Sequence, residues 1–475
     1  MDTKKLRQKI LDLAIRGKLV PQDPNDEPAS VLLERIRAEK EQLIKEGKIK
    51  RSKKSAATDK SHYENVPFEI PESWAWVTLS EVCEVARGGS PRPIKDYLTT
   101  NEDGVNWIKI GDTDKDGKYI NSTKEKIIPE GVHRSRFVHK GDFLLTNSMS
   151  FGRPYILNID GCIHDGWLVI SPFANTYVTE FLYFLLSSSF AYDQFADAAS
   201  GGVVSNLNSD KVANSYFPLP PEREQRRIIN ELNNWFKVVG ELDKNIQGVK
   251  SFVSRIKSKI LDLAISGKLV PQDPNDEPAI ELLKRINPDF KPCDNSHYEN
   301  LPENWCLAKV KDVFVINPRN KAEDNTIAGF IPMTLIDDGY SNTFSYEKRK
   351  WEAIKTGFTH FADGDVAVAE ISPCLENRKS IVLRDLPNGI GAGTTELHVF
   401  RSSVVSPEYA LYFFKSEYFI SRCVGTFNGV VGQQRVGKNI IEEIQIPIPP
   451  INEQTKIVST IETIFTQLNT ITAEL

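Results

Sequence analysis

The pattern of apolar and polar positions is most regular between residues 222 and 265. This stretch has no proline, and apolar residues recur at steps of three and four at positions 228, 232, 235, 238, 242, 246, 249, 253, 256, 260 and 263. Such spacing places them on one side of an α-helix. Pro220 and Pro221 precede the stretch and Gly267 follows it, which favours a helix start and a helix end at these points. At 1.5 Å per residue, the predicted helix is about 65 Å long.

The end of this helix and the turn that follows it occur twice in the chain. The segment ILDLAIRGKLVPQDPNDEPA begins at Ile10 and returns as ILDLAISGKLVPQDPNDEPA from Ile260. Between residues 10–36 and 260–286, 23 of 27 positions are identical at an offset of 250. The PQDPNDEP part has three prolines and no apolar residue, which predicts a rigid, exposed turn. Near-identity in such a segment indicates a recent duplication or two identical partners that bind at symmetric positions.

Two further segments are repeated, and together they make the repeat circular. SHYENVPFEIPESWAWV (61–77) is echoed by SHYENLPENWCLAKV (296–310), and FPLPPEREQRRI (217–228) by IPIPPINEQTKI (446–457) at offset 229. By these offsets Leu475 corresponds to position 246 and Met1 to position 251, so four positions are missing between the chain ends. The sequence therefore predicts two equal units joined in a ring that is opened within one helix. We expect pseudo-two-fold symmetry, a pair of long antiparallel helices, and chain ends about 6–8 Å apart.

The two blocks between these landmarks are weakly similar to each other and have a different pattern. Short apolar runs bounded by Gly and Asp predict strands at GVNWIKIG, GDFLLTNS and GWLVISP in the first block and at GDVAVAEIS and TELHVFRS in the second. One helix is predicted near the end of each block, at 179–190 and 407–419. The predicted fold class is therefore α+β, with two mixed α/β domains, each built on a curved sheet.

Composition limits the class of protein. The 475 residues are 40% hydrophobic and 26% charged with a net charge of −5, which is typical of a soluble protein with two to four domains. No apolar run is long enough to span a membrane. Six cysteines without a CxxC pair favour reduced thiols in the cytoplasm. The run from Lys45 to Lys54 holds six basic residues against one acid, and it is either a solvated linker or an arm that contacts phosphates.

Motifs of catalysis are missing or incomplete in the sequence. Asp112, Asp114, Asp116 and Gly117 spell the opening of a calcium loop, but position twelve is Thr123 rather than Glu, so a polar turn is the better interpretation. No NPPY- or DPPY-type methylase tetrapeptide, no GxxxxGK[ST] phosphate loop and no metal-spaced histidine pair occurs. The sequence predicts no catalytic residue and no metal or cofactor site in this chain.

Polar loops offer candidate contacts to nucleic acid instead. Arg, Lys, Asn, Gln, Glu and Ser side chains contact base edges or phosphates, and several follow Gly-Asp-opened strands in both blocks. An ordinary solvated loop is the alternative for each residue. The candidates in the first block are Arg87, Ser90, Arg92, Lys95, Lys109, Asn147, Ser148, Ser150, Arg153 and Asn206. Those in the second are Asn317, Arg319, Lys321, Glu370, Ser372, Glu376, Asn377, Arg378, Lys379, Gln433 and Arg435.

With its repeated frame, its two dissimilar blocks and the P-[LI]-P-P-x-x-E-Q turn before each long helix, the chain resembles the DNA-specificity subunit of type I restriction–modification systems. The resemblance covers essentially the whole chain. It implies a non-catalytic subunit in which each block is a target-recognition domain for one half of a split site in double-stranded DNA. The implied order is an N-terminal conserved helix (1–20), a linker (21–60), the first recognition domain (61–221), a central helix (222–266), a linker (267–295), the second recognition domain (296–450) and a C-terminal helix (451–475).

The same resemblance implies the partners. Two methyltransferase subunits, which carry S-adenosylmethionine and methylate adenine, would dock on the conserved helices and turns. Motor-nuclease subunits, which use ATP and Mg²⁺, would join for cleavage. We expect the docking residues to be Lys18, Asp23, Asp26, Glu27, Lys268, Asp273, Asp276 and Glu277. Two alternatives stay open from the residues alone, namely a scaffold with duplicated adaptor domains and a free-standing DNA-modifying enzyme.

Overall fold

The chain divides into two compact units, Met1–Lys244 and Asn245–Leu475, called here the first and second unit. The structure is a computed structural model, and it describes residues 2–47, 66–114, 117–147, 152–173, 176–199, 207–294, 301–426 and 434–475. The boundary between the units falls within helix α8 (Glu222–Ile265), which has 44 residues. The predicted long helix is therefore confirmed, with both predicted ends.

The first unit combines helices with two main sheets. Its helices are α1 (Thr3–Ile15), α2 (Ala29–Lys45), α3 (Leu79–Val82), α4 (Pro129–Val132), α5 (Thr179–Leu186), α6 (Ser189–Ala199), α7 (Ser209–Ala213) and the first part of α8. Its strands are β1 (Ala75–Thr78), β2 (Cys83–Arg87), β3 (Leu98–Thr99), β4 (Val105–Ile108), β5 (Tyr119–Ile120), β6 (Glu125–Ile127), β7 (Arg136–Val138), β8 (Phe143–Thr146), β9 (Pro154–Leu157), β10 (Gly161–Ile163), β11 (Trp167–Pro172) and β12 (Tyr216–Leu219).

The second unit has the same kinds of element. Its helices are the rest of α8, α9 (Ala279–Ile286), α10 (Val310–Val313), α11 (Trp351–Ile354), α12 (Pro407–Phe414), α13 (Glu417–Val424), α14 (Lys438–Glu443) and α15 (Ile451–Ala473). Its strands are β13 (Cys306–Lys309), β14 (Val315–Ile316), β15 (Ile327–Ile331), β16 (Glu347–Lys350), β17 (Thr359–Ala362), β18 (Val366–Ala369), β19 (Ser380–Val382), β20 (Ile390–Gly393), β21 (Leu397–Arg401) and β22 (Gln445–Ile448).

The strand order is the same in the two units, except that each main sheet of the first unit has one additional edge strand, β5 or β3. One sheet runs β2-β11-β8-β9-β5 in the first unit and β14-β21-β18-β19 in the second. The other runs β3-β6-β4-β10-β7 and β16-β15-β20-β17, with the β4–β10 and β15–β20 pairs parallel. An antiparallel pair, β1 with β12 or β13 with β22, completes each unit. Two blocks of weakly similar sequence thus share one mixed α/β topology, as predicted, although each has two main sheets rather than one curved sheet.

The core of each unit is layered. Along β8, Phe143 and Leu145 belong to a cluster with the helices, whereas Leu144 belongs to a second cluster with β4, β7 and β10. Successive side chains of a strand point to opposite faces, so this sheet is covered by helices on one face and by the other sheet on the opposite face. In the second unit Val366 and Val368 face the helix layer and Ala367 faces the other sheet. Burial on both faces explains why residues 143–145 of β8 and all of β18 are apolar.

Each predicted helix at the end of a block is in fact two helices. The prediction of a single helix over 179–190 is wrong, because α5 ends at Leu186 and α6 begins at Ser189. The same break separates α12 from α13 in the predicted range 407–419. A serine causes each restart, since Ser188 Oγ accepts from the N–H of Ala191 and Ser416 Oγ from that of Phe419. Such caps satisfy the free N–H groups of a new helix.

Each unit also contains one helix pair with an equivalent contact. In the first unit the Arg7 guanidinium of α1 lies 5.4 Å from the ring centre of Phe236 on α8. In the second unit Lys257 Nζ of α8 lies 5.4 Å from the ring centre of Phe465 on α15. Arg7 corresponds to Lys257 at offset 250, and Phe236 corresponds to Phe465 at offset 229. The two repeat offsets therefore pair residues that make the same contact within each unit. The pseudo-two-fold arrangement of the units and the closeness of the chain ends stay predictions.

Two segments expected to be linkers contain helices. The range 21–60 includes α2, on which Leu32, Leu33 and Ile36 are buried in the core of the first unit. The range 267–295 includes α9, with Ala279 and Leu283 fully buried. Only part of the basic run that starts at Lys45 is described, because residues 48–65 lie outside the described ranges.

Candidate nucleic-acid interface

Four candidate residues of the first unit converge on Asp165, just before β11. The Ser90 hydroxyl donates to Asp165 Oδ1 at 3.0 Å, and the Arg92 guanidinium donates to Oδ2 at 3.3 Å. The backbone carbonyl of Asp165 accepts from Arg87 Nε at 3.1 Å and from Asn147 Nδ2 at 2.8 Å. Three separate segments of the chain are therefore joined at one acidic residue.

The Asp165 cluster has an excess of positive charge. Burial by itself raises the pKa of Asp165, but the hydrogen bond from Ser90 and the charge of Arg92 are among the effects that lower it overall. Asp165 is therefore charged at neutral pH, yet it faces two guanidinium groups. The Arg92 side chain is 81% exposed, so the surplus charge faces solvent. A surface of this kind suits a phosphate group.

The other candidates of the first unit have separate neighbours. Lys109 Nζ pairs with Glu125 Oε1 at 2.5 Å, and the Arg153 guanidinium lies 5.3 Å from the ring centre of Tyr155. Lys95 is exposed on a single 3₁₀ turn, Ile94–Asp96. Ser148, Ser150 and Asn206 lie outside the described residues.

The candidates Asn317 and Arg435 of the second unit lie around a third candidate, Glu370, at the end of β18. His398 Nε2 lies 2.8 Å from Glu370 Oε2, and Arg435 Nε lies 3.7 Å from Oε1. A second carboxylate, Glu396, lies 3.5 Å from Arg435 Nη2. On the other side of the imidazole, the Asn317 amide nitrogen is 3.3 Å from His398 Nδ1. Glu370 and His398 are largely buried, whereas the Arg435 side chain is 52% exposed.

Two candidate cations fix the loop between β18 and β19. Arg378 donates to the carbonyl of Lys415 and pairs with Glu417 at 2.8 Å. Lys379 Nζ donates to the carbonyls of residues 333 and 336 at 3.3 and 2.6 Å. Both cations therefore contact the protein itself, and their structural role is to position this loop.

A fully buried lysine supports the same loop. Lys415 Nζ donates to the carbonyls of Gly339 and Arg378, both at 2.7 Å. Burial is the main cause, and the positive charge of Arg378 the second, of a pKa of Lys415 that is lowered to about 7. The loop is also closed internally by Ser372 Oγ, which donates to Glu376 Oε1 at 2.6 Å. The support is local to this unit, since position 187 at the equivalent helix end of the first unit is a serine.

The remaining candidates of the second unit are exposed. Arg319 Nη1 donates to the carbonyl of Phe358 at 3.2 Å, and its side chain faces solvent, as do those of Lys321 and Asn377. Gln433 lies outside the described residues.

Asn147 and Glu370 occupy equivalent places in the two units. Asn147 N donates to the carbonyl of Gly166 at 3.1 Å, and Glu370 N donates to that of Glu396 at 2.9 Å. The carbonyl groups of Asn147 and Glu370 also correspond. Each accepts a hydrogen bond of 2.9 Å, from Leu207 N before α7 and from Val436 N before α14. One backbone frame, named here the strand-end frame, therefore carries Asn147 and Gly166 in one unit and Glu370 and Glu396 in the other.

The repeated turn is joined to the start of the long helix by the same contacts in both units. The glutamate of each E-Q pair accepts hydrogen bonds of 2.6–2.9 Å from a glutamine and from a tryptophan indole. We call this set the clasp; it comprises Gln22, Trp74 and Glu224 in the first unit and Gln272, Trp305 and Glu453 in the second. Burial raises the pKa of both glutamates, although the donors oppose it. The clasp accounts for part of the identity between the two turns.

The predicted docking residues divide into internal and outward-facing ones. Asp26 and Asp276 are buried and pair with the long helices, at 2.6 Å from Arg227 and 3.4 Å from Lys456. Surface pairs hold Glu27 to Arg35 and Glu277 to Arg285. Lys18, Asp23, Glu27, Lys268 and Glu277 are exposed, and Asp273 is partly exposed.

Sequence reasoning missed Asp165, His398, Glu396, Lys415 and the clasp. The clasp had a usable signal, because its glutamates and tryptophans recur in both copies of the repeat. Asp165, His398, Glu396 and Lys415 had no such signal. In a variable loop or at a helix end, a charged residue or a histidine looks the same in sequence whether it binds other side chains or only contacts solvent. Among the described residues, no three His, Cys, Asp or Glu side chains are placed to hold a metal ion. None of the described helices has the length and apolar character needed to cross a membrane.

Comparison with known proteins shows a family likeness in both units. The model of the type I restriction modification DNA specificity domain matches residues 71–248 and 302–475. The chain is 39% identical over 227 residues to the type I restriction enzyme EcoEI specificity subunit of Escherichia coli, which is 44% of this chain and 38% of that protein. It is 40% identical over 264 residues to the EcoAI specificity subunit of the same species, or 49% of this chain and 44% of that protein. The chain thus spans less than half the length of these relatives.

A solved structure has the same fold. It comes from work on complex assembly and conformational transition of the type I R-M system, and it covers 86% of this chain and 94% of its own with a TM-score of 0.53 at 19% identity.

Proposed function

Since this chain belongs to the family defined by the type I restriction modification DNA specificity domain, we propose that it selects the DNA target of a type I restriction–modification complex. Each unit contacts one half of a split site in double-stranded DNA. One observation carries this proposal: the two units share the order of four strands in each main sheet, but the strand-end frame holds different residues in each. A constant frame with different side chains suits two recognition modules of different sequence preference.

The chemistry in this proposal belongs to partner subunits. Two methyltransferase subunits supply S-adenosylmethionine and methylate adenine in the target, and motor-nuclease subunits supply ATP- and Mg²⁺-dependent cleavage. This chain directs them and has no catalytic role of its own. We place the complex in the cytoplasm, together with the DNA on which it acts.

The first experiment exchanges one recognition block. Residues 61–221 are replaced by the corresponding block of another family member, and the chain is expressed with the methyltransferase subunits. Sequencing of methylated adenines should show one half of the target changed and the other half retained. The matched control exchanges residues 296–450 and should change the opposite half.

Other outcomes contradict the proposal. A change in both halves from one exchange would mean that the units are not independent modules. A purified chain that methylates or cuts DNA without partners would favour a free-standing enzyme. A chain without salt-dependent binding to duplex, alone or with the methyltransferases, would favour a scaffold.

We also propose that the outward-facing residues of the two repeated turns dock the two methyltransferase subunits. Asp23 and Glu27 are exposed and identical to Asp273 and Glu277, and Glu27 pairs only at the surface, with Arg35, whereas Asp26 is buried in its pair with Arg227. Reversing the charge of Asp23 and Glu27 should leave folding intact and reduce the methyltransferase content from two subunits to one, measured by native mass spectrometry. Asp26→Lys is the contrast, because it buries a cation against Arg227 and should unfold the turn. Two bound subunits in the Asp23 and Glu27 variant would contradict this docking surface.

A further inference from the structure

Arg435 is the most exposed member of the group around Glu370, and its position is defined by backbone contacts. Residues 371 and 435 form an antiparallel bridge, and Ser372 N donates to the carbonyl of Gln434 at 2.9 Å. On the other side of Glu370, its N–H is bonded to Glu396. Three chain segments therefore lie side by side, and their side chains at 370, 396 and 435 meet at the edge of the sheet.

Two carboxylates orient the guanidinium of Arg435, but they do not use its N–H groups in short hydrogen bonds. Its distances of 3.7 Å to Glu370 and 3.5 Å to Glu396 are longer than good hydrogen bonds. By contrast, Arg401 in the same unit donates to both oxygens of Asp365 at 2.7 Å, so its donors are used. Among the described residues, no acceptor takes a hydrogen bond from the Arg435 side chain, so its N–H groups are kept for a ligand while two carboxylates restrict where it points.

The charge around Arg435 decides what kind of ligand fits. With His398 neutral, two carboxylates stand against one guanidinium, and this local excess of negative charge repels a phosphate. The cluster around Asp165 in the first unit has the opposite balance, with two guanidinium groups against one carboxylate. A neutral acceptor is therefore the better ligand for Arg435. The guanine edge in the major groove offers two neutral acceptors, O6 and N7, at the spacing of the guanidinium fork.

We infer that Arg435 recognises a guanine in the half-site contacted by the second unit, with Glu370 and Glu396 as its positioning residues. His398 holds Glu370 from behind, at 2.8 Å. The inference rests on the proposed function, because it assigns one base contact within that role. It applies to the second unit only, since the position of Glu396 is occupied by Gly166 in the equivalent frame.

The test uses the full chain assembled with methyltransferase subunits and a library of random double-stranded oligonucleotides. Arg435→Ala should lower selectivity at one G·C pair of one half-site by roughly 5- to 150-fold and leave the other positions unchanged. Arg435→Lys should lose the same selectivity, because a lysine keeps the charge but not the planar fork. Glu370→Gln should weaken selectivity at the same base pair, and should add little when Arg435 is already alanine.

Arg384→Ala is the matched control. Arg384 also pairs with a carboxylate, Glu408, and its side chain is 56% exposed against 52% for Arg435. It follows β19 at the opposite end of β18 from Glu370, because Val382 pairs with Val366. This variant should keep the whole target profile.

Three results would separate the possible failures. If Arg435→Ala weakens binding to all sequences alike and lowers the salt dependence by about one charge, Arg435 contacts a phosphate and the inference is wrong. An unchanged profile in both Arg435 variants, with thermal unfolding like the parent, would overturn it as well. If the parent complex itself selects no sequence, the proposed function fails rather than this assignment alone.

Discussion

At the scale of single residues, the fully buried Lys415 beside a candidate loop couples its ionisation to folding. Its ordinary pKa is 10.5 and burial lowers it to about 7 in the folded chain. Between these values the unfolded chain holds more protons than the folded one, so the free energy of unfolding should rise with pH across this window. Below about pH 7 the folded protein contains a charged, buried amine and is less stable.

Lys415→Met should remove this pH dependence from the second unit. It should also leave the carbonyls of Gly339 and Arg378 without their donor, which costs about 1–3 kcal/mol for a buried group. The measurement is urea unfolding between pH 6 and 9.5 for the parent, for Lys415→Met and for the exposed lysine variant Lys348→Met. Parallel curves for the parent and Lys415→Met would show that the amine is not desolvated.

The residues of the candidate site were predictable by type but not by partnership. Arg87, Ser90, Arg92 and Asn147 follow turns and strand ends, which the sequence marks clearly. Their common acceptor, Asp165, lies many residues away and belongs to a different segment. These contacts to Asp165 depend on the pairing of strands that are far apart in the sequence, and no local sequence pattern predicts that pairing. Predicted Arg378 and Lys379 turned out to contact backbone carbonyls, which composition alone does not distinguish from an exposed cation.

At the scale of elements, the glycine after each repeated helix end is required by both conformation and space. Gly267 has a φ of +69°, and a Cβ there would lie 2.4 Å from Pro302 Cγ. Gly17 has a φ of +67° and the same distance to Pro71. A left-handed conformation costs a non-glycine residue about 1–2 kcal/mol, and the overlap with proline adds to this. The turn after each helix therefore packs closely against the segment that leads into β1 or β13.

Gly267→Ala should therefore lower the free energy of unfolding of the second unit by more than about 2 kcal/mol. The control is Gly248→Ala, within helix α8 that Gly267 follows, where nothing outside the helix's own backbone lies within 4 Å of the added methyl group. There alanine should stabilise by about 0.5–1 kcal/mol, because it restricts the unfolded chain and suits a helix. Equal effects of the two substitutions, measured by urea unfolding, would contradict this account of the helix exit.

The sequence pattern predicts some elements of the fold and not others. The bounds of α8 were predicted well, because prolines stand before it and a glycine stands after it, and both act locally. The layered pair of sheets was not predicted, since β4 pairs with β10 across more than fifty residues and periodicity carries no information on partners. The breaks after α5 and α12 were missed because a serine cap resembles any polar residue of an amphipathic helix.

At the scale of the whole molecule, the uninterrupted helix α8 joins the two units. Four residues inserted after Gly248 would add about 6 Å of rise and about 40° of rotation. If α8 sets the distance between the half-sites, the unread spacer of the DNA target should lengthen by about two base pairs while both half-sequences are kept. Methylation sequencing with the partner subunits present gives the answer directly. An active variant with the parental spacer would show that α8 does not determine the spacing.

The circular repeat has a consequence for heredity. Removing residues 20–269 deletes 250 residues and joins Leu19 to Val270 within an identical stretch of sequence. The product of 225 residues places α1 where the end of α8 stood, and Ile10, Leu11, Ala14 and Ile15 replace identical buried residues at 260, 261, 264 and 265. Arg7 takes the place of Lys257 beside Phe465, as it already stands beside Phe236. A single recombination between the two gene segments would thus release a one-unit protein that lacks only the counterparts of residues 245–250. The reverse event would join two one-unit proteins into a chain with two units.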